Sequence, residues 1–461
     1  MAERPSVRTL AGIVPTLVFL VVYVPVAGHG FVSDDFRWVL NSRLEGVDDL
    51  VRIFRLSDGF YRPMVSLTFG LDRLLFGIEP RGYGWTNVGL VLLTAALIRQ
   101  LAVALGLAKP AATLAASLWL LNFHGINMSI LWICGRTALV LACAATASAL
   151  CLVTRRAGWA LLGLAVALLS KEEAFTLPFV LAGWIYLLAP EAPEDMGARL
   201  RRVAKWLLPA AVIVAAYLAV RASTGAMTPA TAPSYYRFTF APAVVGRNIF
   251  EYADRAATVS AIALVLGFLL LGPKRIRLEP RQRRVVLCGV IWIVGGFGTT
   301  VLLPVRSSLY AIVPSIGACL VAATLLSALW QFADPRRRQR ALVAAVLLPV
   351  FLIPVYRART GGTVPLAEFS TQVLRDIHAE TADLPEDAAV VLTDDLTTPV
   401  NVATAFGTLL NDAVLLKTGR RLNVWIEPPA PATQAMGLEP PCGECVRRRL
   451  RVASGRVVAS P

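Results

Sequence analysis

Gly30–Leu40, GFVSDDFRWVL, follows the first apolar stretch of the chain and sets two carboxylates, Asp34 and Asp35, side by side where a membrane helix has just ended. Adjacent carboxylates repel each other and gain nothing from contact with lipid. Two readings stay open on these residues alone. In one, a carboxylate at the membrane surface accepts the proton of an attacking hydroxyl or amine while its neighbour orients the acceptor or holds a metal. In the other, the pair belongs to a solvated turn or caps the helix that begins at FRWVL.

The 461 residues around this doublet are 56% hydrophobic and 16% charged, with a mean hydropathy of +0.63. Such a chain cannot wet its whole surface, which excludes a soluble enzyme and leaves a polytopic membrane protein. Inside lipid only helices or closed barrels satisfy their backbone groups, and a helix needs about 20 apolar residues to cross. About eleven runs qualify, near 9–28, 84–106, 111–129, 133–153, 157–171, 174–190, 206–222, 257–272, 285–303, 309–331 and 341–356. The fifth and sixth are short and abut at SKEE. The first resembles a signal peptide, but its apolar core is long and it lacks a small-x-small cleavage site, so it reads as a retained helix.

The formal net charge of +15 gains meaning from its position. With a cytoplasmic N-terminus, alternate loops carry Arg4 and Arg8, Arg99 and Lys109, Arg155 and Arg156, RLRRVAK (199–205), KRIRLEPRQRR (274–284) and DPRRRQR (334–340). All fall on one side, as the cytoplasmic bias of Lys and Arg requires, so the charge sets topology and implies no nucleic-acid partner. Eleven crossings leave the C-terminus outside, in keeping with an integral protein of a bacterial inner or plasma membrane. Five of the seven cysteines lie in apolar runs where they pack, while Cys442 and Cys445 form one CxxC, either a local disulfide or half of a metal site.

The opposite loops hold acids, aromatics and isolated cations: the doublet, HGINMSILWICGR (124–136), SKEEAF (170–175), a long loop at 223–256 and PVRSSLY (304–310). Two stretches between the first and second runs, 48–56 and 62–77, are amphipathic and suit helices lying in the membrane interface, roofing an outward cavity. After about Tyr356 the composition becomes that of a soluble domain. There 367–384 reads as a helix, AAVVLTD as a strand, 398–416 as a helix, RLNVWIEP as a strand and RRLRVASGRVVAS as a hairpin turning at Ser-Gly. The expected fold is therefore an all-α polytopic membrane domain over 1–356 and a small extracytoplasmic α/β domain over 357–461.

Several residues in the outer loops carry candidate chemistry. Charges at membrane depth are costly, so Lys171, Glu172 and Glu173 mark a loop or a functional cavity, with an ion pair at a hairpin tip as the alternative. Arg306 follows a proline at an outer helix end, where few cations are expected. Arg62 and Arg136 fit structural ion pairs at least as well as substrate contacts. His124, with Asn127 and Ser129, more simply reads as an interface residue than as a ligand. Asp394 and Asp395 end a strand, where α/β folds often bind ligands, though a solvated turn explains them too.

The order of these features resembles the GT-C class of membrane glycosyltransferases. It is most similar to the tetratricopeptide-containing protein O-mannosyltransferases, which follow their acidic pair with a stretch like YRPMVSLTFGLDRLLFGIEPRGYGWTNVGLVLL (61–93). Gly135-Arg136 in WICGRTALVLA, SKEEAFTLP (170–178) and RSSLYAIVPSIGACL (306–320), with Tyr310, continue the resemblance, which covers about residues 1–330. It implies a polyprenyl-phosphate-linked sugar donor and inverting transfer to a glycan, lipid or protein acceptor on the outer face, among membrane lipids. It also implies Asp34 as base, Asp35 as its partner at the acceptor, and Lys171 with Arg306 compensating the departing phosphate. Participation of a divalent metal is left open, with Asp35 as the residue to hold it. Relatives carry a His-rich, Glu-containing segment where this chain has only His124, which weakens a metal site there. A transporter or flippase of lipid-linked glycans, or a non-catalytic glycan-binding scaffold, are the rival classes; a transporter predicts inverted repeats, and no clear repeat relates the two halves.

Overall fold

A computed structural model describes residues 7–55, 60–188, 195–226, 234–272, 277–428 and 446–460. Each of the eleven apolar runs contains a helix, but they differ in reach. In order they are α1 (Val7–Tyr23), α5 (Pro80–Ala104), α6 (Lys109–Leu120) with α7 (Gly125–Leu131), α8 (Arg136–Val153), α9 (Ala157–Leu168), α10 (Leu177–Leu187), α11 (Met196–Ser223), α12 (Pro242–Leu271), α13 (Pro280–Phe297), α14 (Ile312–Gln331), and α15 (Pro335–Phe351) leading into α16 (Ile353–Thr360). Between α1 and α5 lie α2 (Asp35–Asn41), α3 (Val47–Arg55) and α4 (Pro63–Phe76), the last two on the amphipathic stretches.

Six helical runs among the described residues are long and apolar enough to cross a membrane, or seven if α6 and α7, bent by 57° at their break, form one span. Of the about eleven crossings expected, length and composition alone support these. At 1.5 Å per residue a helix of 12 residues rises only about 18 Å, short of a core about 30 Å thick. Helix α9 has 12 residues and α10 has 11, because the polar SKEE interrupts them. Helix α13 opens on Arg281, Arg283 and Arg284.

Three of the basic loops, at 99–109, 274–284 and 334–340, meet at one end. Arg281 Nε donates to the Leu105 carbonyl at 3.2 Å, Arg337 Nη1 to that of Leu271 at 3.2 Å, and Arg99 Nε to Thr113 Oγ1 at 3.2 Å. The Arg281 and Arg337 cations cap the last carbonyls of neighbouring helices. Within the bundle the buried tryptophans each find an acceptor for the indole N–H: Trp119 on Ile312, Trp184 on Cys288, Trp206 on Pro178 and Trp292 on Val313. An apolar interior tolerates them for that reason. Helices α13 and α14 pack closest where Gly317 faces Gly289; a Cβ on Gly317 would lie 2.4 Å from the Gly289 carbonyl oxygen.

At the other end sits an α/β unit of α17 (Val364–Glu380), α18 (Val402–Phe406), α19 (Leu410–Thr418) and strands β1 (Ala389–Thr393), β2 (Asn423–Glu427), β3 (Val446–Ala453) and β4 (Arg456–Ala459). The sheet order is β2-β1-β3-β4, with β1 parallel to both neighbours and β3–β4 an antiparallel hairpin. Its turn is Ser454-Gly455, both at positive φ, as a two-residue hairpin demands. The single helix expected over 398–416 is two, broken at Gly407, whose φ of +55° no helix accommodates. Cys442 and Cys445 lie outside the described residues.

A core joins this unit to the membrane part: Phe31, Phe36, Val39, Val65, Phe69, Tyr83 and Ile133 cluster with Val390, Leu392, Phe406, Ala413 and Val414. The segment carrying the doublet is therefore packed between two layers, and does not hang free in solvent.

Candidate active site at the acidic doublet

Two neighbouring aspartates meet two environments here because α2 starts between them. Asp35 is fully buried. Its Oδ2 accepts the Val32 N–H at 3.0 Å and its Oδ1 the Cys134 N–H at 2.6 Å. Burial pushes this carboxyl up to about 7 against those two hydrogen bonds, and the charge of Asp34 adds to the rise. Asp34 occupies the N-cap position, but its side chain makes no capping bond. It is exposed, and its carboxylate forms no hydrogen bond or ion pair with a described residue. Desolvation in its recess raises it, while Arg37 and Arg62 pull it down. Of the two readings left open above, helix capping fails for Asp34. Contact with the acceptor fails for Asp35, which is sealed in and clamps the loop to the start of α8.

Arg62 enters α4 ahead of Pro63, whose missing N–H costs nothing at a helix start. Its guanidinium grips Glu172 with both arms, Nη2 to Oε1 at 2.6 Å and Nε to Oε2 at 3.0 Å, and lies 4.3 Å over the Phe60 ring. Burial works against both charges, yet the pair wins: Arg62 is raised and Glu172 lowered. One residue on either side of Glu172, Lys171 Nζ meets Glu173 Oε1 at 2.5 Å and stands 4.8 Å over the Tyr310 ring. Burial raises the Glu173 carboxyl even beside that cation. A small slot lined by Leu141, Ala145, Leu177, Trp292 and Val313 reaches Glu173.

Tyr310 stands edge-on to Tyr252 at 6.1 Å, and beyond Tyr252 lies a second polar group. There Glu251 takes both Arg306 and Arg255, the latter at 3.1 Å. His124 is 3.9 Å from Asp254.

The structure thus gathers Asp34, Arg62, Lys171, Glu172 and Tyr310, and sets Arg306 and His124 apart behind Tyr252. Arg136 belongs to neither group. It is fully buried, ion-paired to Asp72 at 2.6 Å, and donates to Asn87 Oδ1 and to the Tyr83 and Thr68 carbonyls. Sealed from solvent, with Nε, Nη1 and Nη2 each engaged, it has no open face for a substrate, which corrects its place among the binding residues. Glu251, Asp254 and Arg255 were not singled out from the sequence, because 223–256 reads as a loop. Helix α12 in fact begins at Pro242, and the early turns of this 30-residue helix carry them on one face. Among the described residues no group of three or more His, Cys, Asp or Glu is placed to hold a metal. Asp35 does not fit that task, with both oxygens already bound to backbone N–H groups.

No protein-family model matches the chain, and no curated protein matches it. Solved structures do. ArnT from Cupriavidus metallidurans bound to undecaprenyl phosphate aligns with a TM-score of 0.52 at 14% identity, over 95% of this chain and 89% of that one. Its apo state aligns with a TM-score of 0.54 at 15% identity, over 90% and 85%. At such identities the shared property is the fold.

Proposed function

We propose that the chain is a GT-C-type membrane glycosyltransferase. It would move a hexosyl or pentosyl group, with inversion, from a polyprenyl-phosphate-linked donor to a glycan, lipid or protein acceptor on the extracytoplasmic face. The observation that carries this reading is the unbonded Asp34 carboxylate in the same recess as the Arg62–Glu172 and Lys171–Glu173 pairs. The ArnT fold, seen with undecaprenyl phosphate in that protein, lends support. The string at 61–93 favours the O-mannosyltransferase branch within the class. The membrane placement follows the charge pattern: N-terminus cytoplasmic, helices 1–356 in the bilayer with the shorter ones completing eleven passes, and 357–461 outside.

In the proposed step the acceptor O–H or N–H gives its proton to Asp34 as the heteroatom bonds to the anomeric carbon. The bond from that carbon to the phosphate oxygen breaks on the opposite face, and polyprenyl phosphate leaves with one more negative charge. Arg62 and Lys171 are fixed cations of the same recess, and a preorganised cation in a water-poor cleft stabilises a developing anion by several kcal/mol. Asp35 holds the loop that aims Asp34. Arg306 and Arg255 are placed for a second anionic group.

Replacing Asp34 by Asn keeps the shape and removes the base. Transfer from a polyprenyl-phosphate hexose should fall by about 10²–10⁴-fold while yield and melting temperature hold. Unchanged transfer in that variant ends the assignment.

A further inference from the structure

Asp34 and Arg37 stand three residues apart at the start of α2, a spacing at which Asp and Arg normally pair on a helix surface. They do not pair here. Arg37 Nε instead lies 3.1 Å from Asp412 Oδ2 on α19 of the α/β unit. Three further contacts bolt the same peptide to that unit. The Ser33 N–H donates to the Ala405 carbonyl at 2.8 Å, Ser370 Oγ donates to the Phe31 carbonyl at 2.8 Å, and Phe36 stacks on Phe406 at 5.4 Å.

We propose that Asp412 is a positioning residue, which holds Arg37 away from Asp34 and so keeps that carboxylate unpaired and able to take a proton. The α/β unit then acts on the site through one charge as well as through packing. This deepens the reading of Asp34 as base and rests on it, but its test reads the carboxyl itself and needs no substrate. The other charged groups on its own segment and on α4, which packs against α2, are fixed. On its own segment Asp35 is hydrogen-bonded. From α4, Arg62 is held by Glu172, Asp72 by Arg136, and Arg73 by the Val39 and Leu40 carbonyls. Cys134 and Tyr236 complete the surroundings. Arg37, half-exposed and held by a single partner, is the cation free to swing when that partner is lost.

The experiment is a pH titration of the full chain in lipid by infrared difference spectroscopy, with the Asp34 carboxyl band identified by its loss in Asp34→Asn. In Asp412→Asn the midpoint should drop by about one pH unit as Arg37 turns to Asp34. In Arg37→Gln/Asp412→Asn, which also removes the pull Arg37 already exerts, it should rise to the wild-type value or above it, and Asp412→Glu should leave it at the wild-type value. An unmoved midpoint in Asp412→Asn, or a double variant that stays below the wild-type value, overturns the proposal and leaves Asp412 a docking contact only. Should Asp412→Asn fail to fold, the charge swap Arg37→Glu/Asp412→Arg keeps the pair but sets a carboxylate beside Asp34. The midpoint must then rise, and no rise overturns the proposal. Failure of Asp34→Asn to affect transfer is a separate result that strikes the catalytic reading alone.

Discussion

Arg136 with Asp72 and Arg62 with Glu172 are the same chemical pair in two settings. The first is sealed: the arginine has no exposure, and the Asn87 amide with two backbone carbonyls uses its other donors. The second is bidentate but opens on one side, the glutamate side chain keeping a third of its surface and Asp34 lying within electrostatic reach. A closed pair can only hold helices together, whereas an open one can trade a partner for a ligand. Burial alone does not separate the two; the count of unspent donors and the open side do.

Breaking the closed pair should have the largest effect. Arg136→Met strands a buried Asp72, at a cost of about 3–5 kcal/mol. Thermal unfolding in detergent should show a large drop or no folded protein, and Arg136→Met/Asp72→Leu should recover part of it. A stable single variant would place Arg136 with the open group. Breaking the open pair should fall on activity instead. Arg62→Met should reduce transfer by about 10²–10³-fold, the loss seen when one preorganised donor to a developing anion is removed. Its melting temperature should fall less than that of Arg136→Met, and the reverse order of stabilities would erase the distinction.

The pH-dependent effect concerns Asp35, and its sign follows from its shift. The folded carboxyl is raised from 3.8 to about 7, so the folded chain binds a proton that the unfolded chain has already released. Stability from this group is full below about pH 4 and is lost as pH rises to about 7, with a slope of at most about 1.4 kcal/mol per pH unit. Melting temperature against pH should decline over that window and flatten in Asp35→Asn. An opposite slope there would mean that the carboxylate form is the one the clamp prefers.

Local pattern was enough for the strands of the α/β unit, the Ser-Gly hairpin and both amphipathic helices, since alternation, turn residues and apolar spacing are short-range signals. It also marked Arg62, Glu172, Lys171 and Tyr310, charges and aromatics in loops that apolar neighbours make conspicuous. What it could not supply was partnership. Asp34 and Asp35 are alike in sequence, and what separates them includes a bond from the Cys134 N–H, 99 residues away. Arg136 looked like Arg62 until Asp72 and Asn87 were seen to enclose it. The start of α12 was hidden because its outer turns mix Glu251, Asp254 and Arg255 with apolar residues, as a loop does.

The most direct test is a structure of the full chain in lipid with undecaprenyl phosphate bound. The account predicts phosphate density within ion-pair distance of Arg62 or Lys171, on the side facing Asp34. Phosphate seated instead at the arginine-rich end of the bundle, with Asp34 facing no ligand, would contradict it.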